Sequence, residues 1–359
     1  MAAGRQPPGR TGGGDRPGHL GGDRVRSRGR RGFNSGPCEA VGRGSEGTTV
    51  ARTVPTVLGE ADVDDLGVVD YHEHLYVDPP AWLHRIDPDF ALNDEARSAA
   101  ELARWAAAGG QTLVEMTAAD FGRNIDAVRR IAERVPQVHV LVTTGFNRPW
   151  YMGRWVYEMD EGEAVRRIVR EVTEGIGNSG VRAAVIKAGT EYNVLDDAGR
   201  KLLRIAAAGH RHTGAPLVTH TTAGTMGPEQ IDYLGEHGVP PGRVCLSHMD
   251  RLLDFDVHAA VARAGGYLGY DCAGKAKYGP DAARIALLRQ MLEAGYGRRI
   301  LLGNDLGRPS YWVSYGGGPG LDYVLTRFVP RMRRAGIPQE AIDDLLIHNP
   351  RRFFSGEEA

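Results

Sequence analysis

Short apolar runs and longer amphipathic stretches alternate along the chain from residue 53 onward. The runs have the length and composition of buried strands, whereas the stretches between them repeat apolar positions every three to four residues, as helices do. The predicted strands lie at 66–71, 112–116, 138–143, 183–187, 216–220, 243–248, 266–271 and 300–305. The predicted helices lie at 94–108, 125–135, 164–176, 198–212, 257–264 and 282–294.

Eight successive strand–helix units predict an α/β protein with a (β/α)8 TIM barrel fold. The barrel is expected to form one domain over residues 53–359. An open doubly wound sheet is less favoured, because no GxGxxG motif follows the first predicted strand.

Residues 1–52 do not share this pattern. They hold 14 of the 49 glycines, and they carry ten arginines against four acidic residues. Their apolar residues are scattered singly, so burial cannot offset the entropy of ordering the segment, and we predict a disordered Gly/Arg-rich tail. The tail carries a net charge of +6, which leaves −7 on residues 53–359 of a chain whose total is −1. Nucleic-acid binding through the tail is an alternative function, but the tail lacks a regular repeat and has almost no aromatic residues for base stacking.

Composition narrows the cellular setting. No stretch approaches the roughly 18 consecutive apolar residues of a membrane span. Cys38, Cys245 and Cys272 form neither a disulfide framework nor a CxxC motif, which favours a reducing compartment. We therefore expect a soluble, cytoplasmic protein that acts on a small molecule and does not bind membranes. The sequence shows no interface, so a homodimer stays open as an alternative to a monomer.

Metal-ligand residues stand at the ends of five predicted strands, where a barrel of this type places its chemistry. His72 and His74 end the first strand, and alternate side chains of an extended segment point the same way, so both imidazoles can reach one ion. The other candidates are Lys187, His220, His248 and Asp305. A lone histidine at a strand end is usually structural. Agreement among five strand ends favours a metal centre, because buried charges need partners.

Lys187 is the unusual member of this set, since an ammonium group would repel divalent cations. Burial lowers the pKa of a lysine, and a neutral amine can react with carbon dioxide to give a carbamate. The two carbamate oxygens could bridge two metal ions. The alternative is a lysine that forms an ion pair with Asp305 or Glu191.

These residues stand in segments that together resemble the phosphotriesterase-related branch of the amidohydrolase superfamily. The resemblance covers residues 54–354. Its segments read DYHEHL (70–75), VEMT (114–117), GRN (122–124), IKAGT (186–190), THT (219–221), TMG (225–227), LSHMD (246–250), GND (303–305) and NPRRFF (349–354).

The resemblance implies a binuclear centre in a (β/α)8 barrel. His72, His74 and Asp305 would hold the more buried metal, His220 and His248 the more exposed one, and carboxylated Lys187 would bridge them. Some relatives have Glu at the bridging position, where this chain has Lys. Zn²⁺ is the expected metal, and the mixed nitrogen and oxygen ligands also suit Mn²⁺ or Co²⁺.

The implied reaction is hydrolysis of an ester-type bond by a hydroxide that bridges the metals. Asp305 would accept the attacking proton, so Asp305 and Lys187 are the predicted catalytic residues. A lactonase with phosphotriesterase side activity is the expected enzyme, and an amide or N-acyl hydrolase or an aryldialkylphosphatase are alternatives. Lys187 argues against a mononuclear deaminase or nuclease.

Two loops at the mouth of the predicted barrel carry candidate substrate-binding residues. Lys275, Lys277 and Tyr278 follow the seventh strand, and Arg308 and Tyr311 follow the eighth. Lys277, Arg308 and Tyr311 are predicted to bind a phosphate or carboxylate of the substrate, with Arg308 able to do so bidentately. The trio resembles that of relatives that hydrolyse phosphorylated sugar lactones. The alternative is that the lysines are solvated and Arg308 pairs with a neighbouring acid.

Aromatic residues follow the third predicted strand. Trp150, Tyr151 and Trp155 form either an apolar wall of the substrate site or the core of a loop.

Overall fold

An eight-stranded parallel sheet is the centre of the computed structural model, which describes residues 52–357. A short antiparallel hairpin, β1 (Thr53–Thr56) and β2 (Gly59–Asp62), precedes it. The strands of the sheet are β3 (Val69–Glu73), β4 (Thr112–Glu115), β5 (His139–Gly145), β6 (Val185–Thr190), β7 (Leu217–Thr221), β8 (Val244–Ser247), β9 (Tyr267–Tyr270) and β10 (Ile300–Leu302).

Each strand of the sheet pairs with the next along the chain, and the sheet curls into a nearly closed barrel. Where the first and last strands meet, the backbone N–H of Asp305 donates to the carbonyl of His72 at 2.9 Å. The predicted (β/α)8 fold is therefore confirmed. Seven observed strands share most of their length with the predicted ones, whereas β10 ends at Leu302, three residues before Asp305.

Helices surround the barrel. The α-helices are Ala81–Ile86, Glu95–Ala107, Ile125–Arg134, Pro149–Met152, Trp155–Glu158, Glu161–Thr173, Asp197–Thr213, Gly227–Glu236, Phe255–Arg263, Asp281–Glu293, Val329–Arg334, Gln339–Asp343 and Asn349–Ser355. Two π-helical turns, Val324–Phe328 and Asp344–His348, run into the segments that follow them.

The starts of five of the six predicted helices have a common local cause. An Asp or Asn side chain accepts a backbone N–H of the first turn and so replaces a missing intrahelical bond. These caps are Asp94, Asn124, Asp160, Asp196 and Asp254. All six predicted helices are present. The predicted helices did not include Gly227–Glu236, which begins with Gly-Pro, or the C-terminal helices, and the β1–β2 hairpin was not predicted either.

The hairpin and the last helix pack against the barrel interior. Val54 and Ala61 of the hairpin and Phe353 of the last helix belong to one buried cluster with barrel residues such as Val69 and Val185. The N–H of Val57 donates to the carbonyl of Val140, near the start of β5. This packing covers the amino ends of the strands, and the carboxyl ends are left for the loops that carry polar side chains.

Part of the sequence interpretation concerns the N-terminal tail. The predicted disorder of residues 1–52, and the nucleic-acid alternative that depends on it, fall outside the described residues except for Arg52. Within 52–357, no helix is both long and apolar enough to cross a membrane.

Candidate metal centre

The six predicted ligand residues line one cavity at the carboxyl ends of the barrel strands. The cavity has a volume of about 180 Å³. His72, His74, Lys187, His220 and His248 are buried, and the side chain of Asp305 is 14% exposed. The structure thus brings together residues that lie up to 233 positions apart in the chain.

His72 and His74 of the first barrel strand each have one ring nitrogen occupied by a hydroxyl group. Nδ1 of His72 lies 2.9 Å from Ser247 Oγ, and Nδ1 of His74 lies 2.8 Å from Thr117 Oγ1. In both rings Nε2 is the remaining ligand atom. Such outer hydrogen bonds fix the orientation of a histidine that binds a metal.

His220 and His248 are also oriented by hydrogen bonds to one ring nitrogen, which is Nε2 in His220 and Nδ1 in His248. Nε2 of His220 lies 3.1 Å from Thr222 Oγ1, which leaves Nδ1 as the ligand atom. Nδ1 of His248 bonds to Asp271 Oδ1 at 2.8 Å, which leaves Nε2. Asp271 also accepts the hydroxyl of Tyr71 and the backbone N–H of His248, so its carboxylate is fully engaged in positioning.

Burial keeps three of the four candidate histidines in the protonation state that metal binding requires. It lowers the pKa of His72 and His220 well below the usual range and that of His248 to about 4, so these rings are neutral near pH 7. A neutral imidazole has the free lone pair that a metal needs. Burial also lowers the pKa of Lys187 to about 8.

Lys187 lies beside His72, with 3.2 Å between Nζ and Nε2. In the described part of the chain it forms no ion pair with Asp305, and Glu191 instead bonds to Arg148 at 2.8 Å. The alternative of an ion-paired Lys187 is therefore not what the structure shows. Burial lowers the pKa of this amine to about 8, so part of it is neutral near pH 7 and can become a carbamate.

Asp305 uses its two carboxylate oxygens differently. Oδ1 lies 3.5 Å from Nε2 of His74 and 3.7 Å from Nε2 of His72. Oδ2 accepts from Lys275 Nζ and from Arg251 Nη2, each at 2.9 Å. Burial alone would raise the pKa of Asp305, but Lys275 and the histidines hold it well below its usual range. The ionised Oδ1 is left facing the histidines.

Two of the candidate ligands have left-handed backbone conformations. The φ angle is 66° at His248 and 49° at Asp305. Residues other than glycine seldom adopt this region, and the cost is accepted mainly where the surroundings require it. Here each turn directs a side chain from the end of a strand into the cavity.

The donor set fits divalent metal ions. Ligand atoms of His72, His74 and Asp305 lie within 4.8 Å of one another. Those of His72, His248 and Asp271 do so as well, but Asp271 positions His248 and is not a candidate ligand. A third cluster, formed by Asp250, Asp271 and Cys272, also meets this distance. It is a poor metal site, because Asp250 already forms a buried ion pair with Arg284 at 3.0 Å.

The predicted substrate-binding residues lie at one side of the cavity mouth. Arg308 lines the cavity, but it pairs with Asp87 at 2.6 Å and with Asp89 at 3.4 Å, and it stacks 4.1 Å above the Phe90 ring. Arg308 therefore pairs with acidic residues, as the alternative interpretation expected. It also lies on the cavity wall, as the substrate-binding interpretation expected.

Lys277 is exposed, and its ammonium group stacks 5.1 Å from the centre of the Tyr311 ring. Tyr311 lines the cavity, and within the described residues its buried hydroxyl has no hydrogen-bond partner. Lys275, which the sequence placed in the same mouth loop, is buried against Asp305, so the alternative of a solvated lysine is wrong for this residue. The loop turns inward because the carboxylate supplies a counter-charge.

Sequence reasoning missed four polar residues that the fold brings into the cavity from loops. These are Asn147, Arg148, Thr222 and Arg251. Each lies one to four residues beyond a strand end, but so do many loop residues that point to solvent. Of the aromatic trio, Tyr151 lines the cavity, whereas Trp150 and Trp155 are 41% and 45% exposed.

Comparison with known proteins places this site in a family. The family model described as "Phosphotriesterase family" matches residues 52–354. A phosphotriesterase homology protein from Escherichia coli (strain K12) is 32% identical over 292 residues, which are 81% of this chain and 99% of that protein. A phospho-furanose lactonase from Mycoplasmopsis agalactiae is 30% identical over 327 residues, which are 86% of this chain and 92% of that protein.

A solved structure agrees. The crystal structure of a lactonase from Listeria monocytogenes superposes with a TM-score of 0.81 at 31% identity, over 84% of this chain and 98% of that one. The range that the family model matches, residues 52–354, contains every barrel strand and the six residues of the candidate metal centre. The chain therefore belongs to the phosphotriesterase family, and it is a hydrolase.

Proposed function

We propose that the protein is a binuclear metal-dependent lactonase whose preferred substrates carry an anionic group. The observation that carries this proposal is the convergence of four histidines, a buried lysine whose pKa is lowered to about 8 and an ionised aspartate in one cavity, with cationic residues at one side of its mouth.

The residues divide into two ligand groups. His72, His74 and Asp305 would hold one divalent ion, and His220 and His248 the other. Lys187 would bridge the two ions after its neutral Nζ attacks carbon dioxide, which forms the N–C bond of a carbamate and releases one proton. Zn²⁺ is the proposed metal, with Mn²⁺ or Co²⁺ as alternatives. Two bound cations would lower the pKa of a water molecule and polarise the carbonyl of the substrate.

Asp305 would act as the general base and then as the general acid of the reaction. Lys275 and Arg251 hold Oδ2 in place, so the carboxylate has one orientation and Oδ1 is the oxygen available at the reacting side. Asp305 would accept the proton of the attacking water. It would then give the proton to the leaving oxygen as the lactone ring opens.

The cationic side of the mouth would bind the anionic group of the substrate. Tyr311 offers an unpartnered buried hydroxyl, Lys277 lies beside the Tyr311 ring, and Arg308 lines the same wall. The contact of Arg308 with Asp89 is the longer of its two ion pairs, at 3.4 Å, and an incoming phosphate can replace it. The name of the Mycoplasmopsis agalactiae relative, a phospho-furanose lactonase, supports a phosphorylated sugar lactone.

Matched substrates test this proposal. The protein, reconstituted with Zn²⁺ or Mn²⁺, is assayed by proton release from sugar lactones with and without a phosphate, and from a neutral aryl phosphotriester. We expect the phosphorylated lactone to be preferred by orders of magnitude in kcat/KM, and Arg308→Ala to remove most of that preference. Equal rates for the neutral lactone would contradict the anion site. Faster cleavage of an N-acyl substrate would replace lactonase with the amide hydrolase alternative.

The cellular setting also stays a proposal. The described cysteines, Cys245 and Cys272, are free and buried, which is compatible with the predicted cytoplasmic location. Sedimentation of the purified protein distinguishes a monomer from the alternative of a homodimer.

A further inference from the structure

The wall of the cavity that faces the cationic side is also polar. Asn147 and Arg148 follow β5, which stands four strands away from β9 in the barrel, so the two loops face each other across the cavity. Neither residue takes part in the proposed metal centre or in the anion site.

Both residues have a buried polar atom without a partner. Asn147 is 5% exposed, and within the described residues its Oδ1 accepts no hydrogen bond. Nε of Arg148 is likewise buried and without an acceptor. Leaving such atoms unpaired is costly, and native structures retain few of them. Because both residues line the cavity, a ligand there can supply the missing partners.

The backbone of this segment is firmly held. The buried carboxylate of Asp120 accepts the N–H of Asn147 at 2.8 and 2.9 Å and that of Arg148 at 3.4 Å. Gly189 of β6 has no side chain, and a Cβ at that position would overlap the carbonyl oxygen of Asn147. These contacts place Asn147 and Arg148 on a rigid support, as recognition of a ligand requires.

Hydrogen bonds to Glu191 and Thr222 orient the guanidinium of Arg148, and Glu191 also balances its positive charge. Its Nη1 donates to Glu191 at 2.8 Å and to Thr222 Oγ1 at 3.3 Å, and its plane lies 4.9 Å from the centre of the Tyr151 ring. Since Glu191 already balances its charge, Arg148 adds to this wall an unpaired hydrogen-bond donor, Nε, without an excess positive charge. This side of the cavity therefore suits a neutral polar group better than a second anion.

We propose that Asn147 and Arg148 form a hydroxyl-binding subsite that selects polyhydroxylated substrates. This inference rests on the proposed lactonase function and names the part of the substrate opposite its anionic group. A hydroxyl group can donate to Asn147 Oδ1 and accept from Arg148 Nε, and it satisfies the amide in either orientation. The subsite takes the hydroxyl-bearing carbons next to the lactone carbonyl, and it discriminates against lactones that lack them.

A substrate pair and matched variants test the subsite. The metal-loaded protein is assayed with a phosphorylated sugar lactone and with its counterpart that lacks the hydroxyl next to the carbonyl. Asn147→Leu keeps the shape of the side chain without its polar atoms. Arg148→Lys keeps the charge near His220 and removes Nε. The exposed residues Asn178 and Arg263 provide the controls Asn178→Ala and Arg263→Lys.

The expected result is a selective loss. Asn147→Leu and Arg148→Lys should lower kcat/KM for the hydroxylated lactone by about 10-fold to 100-fold, and change that for the deoxy counterpart by less than about 3-fold. The control variants should match the wild type on both substrates. An equal loss on both lactones would mean that the residues are only structural and would overturn the subsite.

A binding measurement separates this inference from the proposed function. Calorimetry measures the affinity of the wild type and of Asn147→Leu for the ring-opened acids with and without the same hydroxyl, and no turnover is needed. If no lactone is hydrolysed, the lactonase proposal fails. The subsite still stands if the wild type alone prefers the hydroxylated acid, and it fails if both proteins bind the two acids equally.

Discussion

At the residue scale, the surroundings of a side chain decide its role more than its type does. Lys275 and Lys277 lie two positions apart in one loop, yet Lys275 is buried on Asp305 and Lys277 is exposed beside Tyr311. Lys187 is a third case, buried beside His72 with a pKa that burial lowers to about 8. The three lysines therefore serve three different purposes, namely positioning, substrate binding and metal bridging in the proposed mechanism.

Substitution of Lys275 tests its positioning role. Lys275→Met removes one partner of a buried ion pair, and we expect the free energy of unfolding of the metal-free protein to fall by about 3 kcal/mol. The measurement is urea denaturation. Lys277→Met, in the same loop but exposed, should change it by no more than about 0.5 kcal/mol. Equal effects of the two substitutions would show that Asp305 does not depend on Lys275.

Substitution of Lys187 tests the carbamate bridge. Lys187→Gln cannot form a carbamate, so we expect the purified protein to retain fewer than two metal ions per chain and to lose lactone hydrolysis. Lys187→Glu supplies a carboxylate and should recover part of the metal content. Elemental analysis of the two variants and the wild type is the measurement. Full metal content in Lys187→Gln would contradict a binuclear centre bridged by this residue.

At the element scale, strands that are not neighbours in the sheet meet inside the barrel only because certain positions lack a side chain. Gly269 of β9 faces Tyr71 of β3, and a Cβ at Gly269 would overlap the Tyr71 hydroxyl, which donates to Asp271. Asp271 in turn orients His248. A glycine on one strand thus supports a candidate ligand on another.

Gly269→Ala is expected to displace Tyr71 and to lower the free energy of unfolding by about 1 to 3 kcal/mol. It should also weaken metal binding, because Asp271 loses a donor that positions it. Gly235→Ala is the matched control, since Gly235 lies in a helix with open space around it and should gain up to about 1 kcal/mol. Denaturation and metal titration measure both effects. Unchanged metal affinity in Gly269→Ala would show that Tyr71 does not help to position the candidate ligands.

The helix Glu161–Thr173 is joined to the barrel by an ion pair that makes its docking sensitive to acid. Burial alone would raise the pKa of Glu171, but hydrogen bonds and charges from Arg123 and Arg167 hold it at about 2, below the ordinary 4.5. The depressed pKa of the folded state contributes stability that is complete above the ordinary pKa. That contribution declines as the pH falls toward 2.

We therefore expect the stability difference between the wild type and Glu171→Gln to shrink by about 3 kcal/mol on acidification, with most of the loss by about pH 3. Denaturation of both proteins at a series of pH values measures this difference. A difference that does not vary with pH would show that Glu171 is not ionised in the fold.

At the scale of the whole molecule, the metal centre joins strands from all around the barrel. His72, Lys187, His220, His248 and Asp305 come from five different strand ends. Ions bound there would stabilise only the folded chain, because the unfolded chain does not hold these residues together.

Removal of metal should thus lower the thermal unfolding midpoint of the protein, and excess Zn²⁺ should restore it. We expect the same shift for residues 53–359 alone, which tests the domain prediction. Scanning calorimetry with and without chelator is the measurement. Loss of the shift in the shortened protein would show that residues 1–52 contribute to the fold.

The sequence by itself determined the barrel and the six candidate ligands. Strand and helix periods report local burial, and the carboxyl ends of parallel strands meet at one face, so His72 and Asp305 could be brought together from their positions along the chain. Only the tertiary structure decided which loop residues enter the cavity. Lys275, Arg251, Asn147 and Arg148 turn inward because Asp305, Asp120 and Glu191 hold their side chains or backbone. Such pairings join residues far apart in sequence, and no local pattern records them.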